Sequence, residues 1–466
     1  MTGMKIRMAL VALVALLVAP STWAGQVVLF LGDGMGVSTI TAGRILDGQL
    51  KGGSGEDNQL VFDTFPNVAL IKTYNTDMQV PDSAGTMSAI ITGEKTRFGV
   101  LSVSPAVPRG DCAQSLAGAL PTLLEQAEDA GYATGVVTTT RITHATPAAT
   151  YAHVPERDWE DDTHMPAAAR DAGCRDIARQ LVEFAHGDGI DVILGGGRAA
   201  FMPGDQSDPE YPHIKGSRSD GKDLIAAWQQ GGKRRAYVWN AEQFRALAGK
   251  DQVLGLFEPS HMQWEADRTK DVAGEPSLAE MTGLAIRTLK ARSRNFFLLV
   301  EGGRIDHGHH AGNAYRALHD VVAFNAAVAV AAEAIDARRG LVLVTADHSH
   351  TLTMAGYPPR GNPILGKVPV IPGGGEGGAP TYAYPTLGYA NGPGGGKPLD
   401  DYADVDTQAG DFRQPATFPM QSETHGGEDV AAFARGRGAD LVRGVMEQNQ
   451  LYDALYRGLF GRTPKR

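Results

Sequence analysis

The 466-residue chain carries 43 Lys and Arg against 53 Asp and Glu, a formal net charge of −10, with 42% apolar, 21% charged and 7% aromatic residues. This composition excludes a disordered, collagen-like or coiled-coil chain. The acidic balance argues against a nucleic-acid-binding face, which needs clustered basic residues.

The chain opens with Lys5 and Arg7, then an apolar run from Met8 to Ala19, then Thr22-Trp23-Ala24. That is the pattern of a secretory signal over residues 1–24, cut after Ala24 and too short to span a membrane. The competing reading is a buried N-terminal helix. Residues 25–466 are then expected as a single catalytic unit located in the periplasm or the medium. No later stretch is expected to cross a membrane, and Gly461 to Arg466 lacks the apolar tail of a lipid-anchor signal. The two cysteines, Cys112 and Cys174, are expected to bridge in such a compartment. A bridge closing so long a loop is worth on the order of 4 kcal/mol; the alternative is two buried thiols.

Strands are predicted over Val27–Leu31, Val68–Thr73, Thr134–Thr139, Val192–Leu194, Phe296–Val300 and Leu341–Thr345. Helices are predicted over Ala84–Ile91, Pro121–Ala130, Pro166–Phe184, Pro276–Ala291, Asn313–Ala337 and Ala439–Leu459. Near-continuous apolar strands alternating with helices give an α/β fold: a large, mostly parallel central sheet with helices on both faces. Gly356 to Leu399 breaks this rhythm with nine prolines and the run Gly373-Gly-Gly-Glu-Gly-Gly378. It is read as an irregular insertion spanning about residues 356–420, anchored by Tyr357, Tyr382, Tyr384 and Tyr389, rather than as a linker.

Three acids sit just past strand ends. Asp33 follows the first strand, Glu301 the fifth and Asp347 the sixth. In a parallel sheet those ends share one edge, where ligands bind. Three carboxylates converging there would repel one another, and bound polycations resolve the conflict. Asp306 and His310 are four apart and share a helix face, His348 follows Asp347, and His425 stands in Glu423-Thr-His-Gly-Gly427. Mixed imidazole and carboxylate suits zinc, whereas oxygen-only sets suit magnesium or calcium. His153, His164, His186, His213, His261 and His319 are read as structural. Ser83, in Pro81-Asp-Ser-Ala-Gly-Thr86, opens a helical pattern and is either a simple capping serine or a nucleophile at a helix N-terminus. No Gly-x-Ser-x-Gly elbow nominates a Ser-His-Asp hydrolase, so metal activation is the remaining route to a reactive hydroxyl. Gly32-Asp-Gly-Met-Gly36 is a poor dinucleotide loop, because its central acid would repel a pyrophosphate.

Taken together, these segments resemble an alkaline phosphatase, the animal-type branch most of all. The resemblance rests on Gly32-Asp-Gly-Met-Gly36, Pro81 to Thr86, Thr139 to Arg157, Asp191 to Arg198, Glu301 to His310, Thr345 to His350 and Glu423 to Asp429, in one order along the chain. It implies phosphate monoesters as substrates and inorganic phosphate as product, with Ser83 as the nucleophile that becomes phosphoserine. Arg157 is implied as the phosphate clamp and Asp82 as the carboxylate orienting it. One zinc would take Asp306, His310 and His425. A second zinc would take Asp33, Asp347, His348 and the Ser83 oxygen. Magnesium would take Asp33, Thr146 and Glu301. His144, His307 and His350 are implied to support these ligands from behind. Glu210, the Phe257 carbonyl, Glu258 and Glu275 match a fourth metal site, usually assigned to calcium. Cys112 and Cys174 match a family disulfide, the insertion matches a crown subdomain, and Tyr357 matches a residue reaching the partner's site in a homodimer. One departure is noted: the first strand follows the cut directly, leaving no room for the family's partner-embracing N-terminal arm.

Three rival readings are weaker. A metal-dependent phosphodiesterase could share the zinc ligands, but Arg157 and a magnesium favour a monoester with more free oxygens. A sulfatase would need a Cys- or Ser-x-Pro-x-Arg signature, which Ser83-Ala-Gly-Thr86 lacks. A non-catalytic phosphate- or metal-binding protein would be expected to lack the nucleophile or a ligand, and none is missing.

Overall fold

The computed structural model describes residues 25–232, 234–247, 252–370, 382–396, 398, 402 and 404–465. The expected signal segment and the Gly373–Gly378 run lie outside them. The apolar runs become strands whose residues are buried on both faces: β1 (Gln26–Gly32), β7 (Phe296–Gly302) and β8 (Gly340–Ala346) are almost wholly buried. With β2 (Asn67–Lys72), β3 (Ala133–Arg141), β4 (Val192–Gly196), β5 (Arg235–Val238), β6 (Gln252–Leu256), β9 (Val430–Gly436) and β10 (Gly444–Glu447) they form one ten-stranded sheet ordered β10-β2-β9-β8-β1-β7-β3-β4-β6-β5. Only β9 runs against the rest, pairing antiparallel with both β8 and β2. The expected α/β architecture is therefore present.

Register decides where the site lies. Leu31 of β1 stands beside Glu301 and Thr345, and Thr138 of β3 stands beside Glu301. The residues just beyond these positions emerge together at one edge. Helices close the faces; the longest, Ala314–Ala334, packs on the Leu278–Arg292 and Val37–Leu50 helices and on β1 and β7. By length and mean hydropathy that helix could cross a membrane, contrary to the expectation that no later stretch could, and half of its apolar window is buried in this fold.

Two predicted helices are divided. Pro166–Phe184 becomes Ala167–Asp171 and Ile177–Val182, interrupted where Gly173 takes φ of +95° and Cys174 bridges to Cys112. Ala439–Leu459 becomes a short 3-10 turn, strand β10 and the helix Leu451–Phe460, because Gly444 turns the chain at φ of +70°.

The segment after residue 350 builds a separate small sheet from Leu352–Met354, Leu387–Gly392 and Ala416–Pro419. Ile364, Leu365, Leu387 and Tyr389 pack with Ala42, Leu46 and Leu318 into a second apolar cluster. Of the four tyrosines expected as anchors, Tyr389 is buried and Tyr382 and Tyr384 are half-buried. Tyr357 is 74% exposed.

At the start of β3, Glu128 is buried; its Oε1 takes the Thr134 hydroxyl and its Oε2 has no hydrogen-bond partner. Burial, with the nearby charges of Asp191 and Asp188, pushes its pKa up to about 8. The native state therefore holds a proton that the unfolded chain loses near 4.5, so stability falls as pH rises between 4.5 and about 8. Glu128→Gln keeps the Thr134 bond and removes that slope. Urea unfolding of the two proteins should show a stability difference that grows in the variant's favour across this interval and levels off above it. Parallel curves would show that Glu128 is ionised in the native state.

Candidate active site

Asp82 caps the Ser83–Thr92 helix: its Oδ1 accepts from the Gly85 N–H at 3.1 Å and from Asn75 Nδ2 at 3.0 Å. Its Oδ2 accepts from the Gly99 N–H at 3.1 Å and pairs with Arg157 Nη1 at 3.0 Å. Ser83 thus starts a helix, where free N–H groups favour anions, with a guanidinium held alongside. The Ser83 Oγ lies 3.2 Å from His348 Nε2 and 3.5 Å from Asp33 Oδ1.

Three imidazoles share one device. The Nδ1 of His310 faces the Glu423 carbonyl at 2.6 Å, that of His425 the Pro81 carbonyl at 2.8 Å, and that of His348 the Ser349 carbonyl at 3.2 Å. A carbonyl only accepts, so each Nδ1 carries a proton, and with one proton per ring each Nε2 turns a bare lone pair inward. The Nε2 atoms of His310 and His425 are 3.2 Å apart, and Asp306 Oδ1 lies 3.4 Å and 3.5 Å from them. His348 Nε2 faces Asp347 Oδ2 at 3.1 Å and Asp33 Oδ1 at 3.5 Å. Acceptors meeting acceptors is a repulsive arrangement that a cation resolves.

The oxygen side shows the same need. Asp33 Oδ2, Asp347 Oδ2, Glu301 Oε1 and Thr146 Oγ1 are buried with no hydrogen-bond partner. Burial, joined by the charges of Asp347, Asp306 and Glu301, raises the Asp33 pKa well above the ordinary carboxylate range. Burial and Asp347 push Glu301 to about 7, and burial and Asp306 raise Asp347. Asp306 goes the other way: burial alone would raise it, but His310 and His350 hold it well below its usual value. Four donor groups of this kind occur among the described residues: Asp306, His310, His350 and His425; Asp33, Asp306 and His348; Asp33, His144 and Glu301; and, away from the others, Glu210, Glu258 and Asp271. The nitrogen-rich sets have the chemistry of zinc sites, and the oxygens of Asp33, Thr146 and Glu301 that of a magnesium site.

Behind these groups, His144 Nε2 meets Arg157 Nη2 at 3.2 Å and His307 Nδ1 meets Arg304 Nη1 at 2.9 Å. His350 Nε2 reaches Asp306 Oδ1 at 2.7 Å.

Sequence reasoning missed two neighbours. His261, read as structural, stands against the His307 ring with centroids 4.2 Å apart, and its Nδ1 accepts from the Arg141 N–H at 3.2 Å. Asp271, in an otherwise unremarked loop, joins Glu210 and Glu258. Glu275 lies beside them: its Oε1 accepts from the Gln263 N–H at 3.0 Å and its Oε2 is unpartnered. Burial and neighbouring acids push Glu258 to about 8 and Glu275 to about 9. No local pattern marked either residue; only the tertiary fold brings them in.

The alkaline phosphatase family profile matches residues 24–459. The tissue-nonspecific alkaline phosphatase of Gallus gallus is 48% identical over 444 residues, 93% of this chain and 84% of that protein. The Homo sapiens tissue-nonspecific isozyme is 44% identical over 438 residues, 91% of this chain and 82% of that protein. Among solved structures, Thermus thermophilus alkaline phosphatase superposes with a TM-score of 0.66 at 23% identity, covering 95% of this chain and 93% of that one, a likeness of fold. From the profile and these relatives, the chain belongs to the alkaline phosphatase family and is a phosphomonoesterase.

Proposed function

We propose that this enzyme hydrolyses phosphate monoesters through a phosphoserine on Ser83, with two zinc ions and one magnesium as its resident metals. One observation carries this reading: the Ser83 hydroxyl sits at a helix N-terminus, 3.2 Å from His348 Nε2 and 3.5 Å from Asp33 Oδ1, among buried acids with oxygens that have no hydrogen-bond partner. Asp306, His310 and His425 would hold one zinc; Asp33, Asp347 and His348, with the Ser83 oxygen, the second; Asp33, Thr146 and Glu301 the magnesium. When bound, these ions lower the pKa of coordinated hydroxyls and water and neutralise charge on phosphorus and leaving oxygen.

The chain's own residues supply the rest. Arg157 binds two phosphate oxygens in a fork, its angle set by Asp82. The Ser83 oxygen forms its bond to phosphorus as the ester bond breaks and the alcohol departs. Water then attacks the phosphoserine, releasing inorganic phosphate and restoring the hydroxyl. Burial of the acids and imidazoles keeps their orientation fixed, so charge developing in the transition state meets groups already in place.

The same reading includes a calcium held by Glu210, the Phe257 carbonyl, Glu258 and Glu275, with Asp271 beside them. It includes residues 25–466 as one catalytic unit with a crown-like insertion over 356–420. A homodimer, supported by the exposed Tyr357, and periplasmic or secreted export, supported by the Cys112–Cys174 disulfide, complete it.

Three outcomes test the core of the proposal. Exhaustive chelation should abolish hydrolysis of a chromogenic aryl phosphate, with zinc plus magnesium restoring it; full activity after metal removal would end the metal mechanism. In Ser83→Ala, labelled phosphate should no longer be trapped on the protein at low pH, and turnover should fall on the order of 10³-fold or more. Covalent phosphate surviving in that variant would place the nucleophile elsewhere. Arg157→Ala should lower kcat/KM for the monoester roughly 10²-fold and narrow the preference over a matching diester. An unchanged monoester-to-diester ratio would remove Arg157 from the clamp.

A further inference from the structure

Glu423 touches the proposed Asp306–His310–His425 site in three ways at once. Its carbonyl accepts the His310 Nδ1–H at 2.6 Å, and its own N–H donates to the His310 carbonyl at 3.0 Å, tying off the end of the Arg304–His310 helix. Its carboxylate lies at the back of His350: Oε2 meets His350 Nδ1 at 2.5 Å, and the other face of that ring meets Asp306 Oδ1 at 2.7 Å. The second oxygen, Oε1, accepts both the N–H and the hydroxyl of Thr351 at 2.7 Å each. Glu423 is 1% exposed and His350 is 2% exposed.

One edge of the His350 ring is closely packed against backbone. Gly34, at φ of +66°, lies so close that a Cβ there would come within 2.4 Å of His350 Nε2. A carboxylate anchored by two donors from Thr351 therefore fixes one end of an imidazole, and the imidazole fixes a carboxylate oxygen that faces two bare nitrogens.

We propose that Glu423 is a positioning residue for the Asp306–His310–His425 site, acting on Asp306 through the His350 ring and on His310 through its own carbonyl. The inference rests on the zinc reading above. Removing the side chain frees His350 and lets Asp306 rotate, while leaving every ligand residue present. Outer partners of metal ligands commonly change affinity 10- to 100-fold.

The test uses metal-loaded enzyme and the release of zinc to a colorimetric chelator. Wild type should retain two zinc equivalents. Glu423→Ala should release one of them roughly 10- to 100-fold faster, with the other leaving at the wild-type rate. Glu423→Gln should release zinc at close to the wild-type rate, because its Oε1 still accepts from Thr351 and its amide can donate to His350 Nδ1. If the alanine variant does not fold, Glu423→Asp, too short to reach Thr351 and His350 together, replaces it. Release at the wild-type rate from the alanine or aspartate variant overturns the role, as does a glutamine variant as leaky as alanine. A wild-type enzyme that keeps no zinc against the chelator would instead sink the zinc reading itself.

Discussion

The fold's active edge is organised around a repulsion. Seven parallel strands, β8 through β5 in sheet order, bring carboxylates and imidazoles from remote sequence to one buried place. Backbone carbonyls then fix each imidazole so that its lone pair faces other lone pairs. The acids are buried, and the His310 and His425 rings are only partly exposed. A protein interior tolerates such an arrangement only with compensating positive charge. The same constraint explains why Asp33, Glu301 and Asp347 are all pushed toward the protonated form when no cation is present.

Supporting structure is spread unevenly around this edge. Asp82 does three jobs from one side chain, capping the serine helix, holding Arg157 and gripping the Gly99 backbone. Anchoring Arg157 to the same residue as the helix N-terminus holds its guanidinium and Ser83 in one rigid frame. The acids near Glu258 form a separate, equally under-neutralised patch, and the pKa values of Glu258 and Glu275 reflect burial together with mutual repulsion.

Much of this was legible in sequence because chemistry and periodicity coincide. β1, β7 and β8 are apolar runs buried on both faces; Asp33 and Asp347 come immediately after β1 and β8, and Glu301, expected just past its strand, is the last residue but one of β7. Strand β9 was not legible: Val430-Ala-Ala-Phe-Ala-Arg-Gly436 is alanine-rich, and it is extended only because β8 and β2 offer hydrogen bonds on both sides. Short β5, β6 and β10 were not legible either: none exceeds five residues, and β10 lies inside an apparent helix. At the site, residues adjacent to strand ends could be read, whereas His261, Asp271 and the side chain of Glu423 acquire their meaning only from tertiary neighbours. The membrane-length apolarity of Ala314–Ala334 was likewise a matter of packing, since a helix covered by two others and a sheet has little polar face to show.

Strand β9 has a consequence for biogenesis. It is the piece that joins β2 and β10 to the other seven strands, and it is reached in the chain directly after Glu423 and His425. Closing the sheet and delivering the last imidazole are thus a single event. A growing polypeptide lacking its final few dozen residues has neither a continuous sheet nor a finished cradle, so an ion captured early could not be locked in by an incomplete chain.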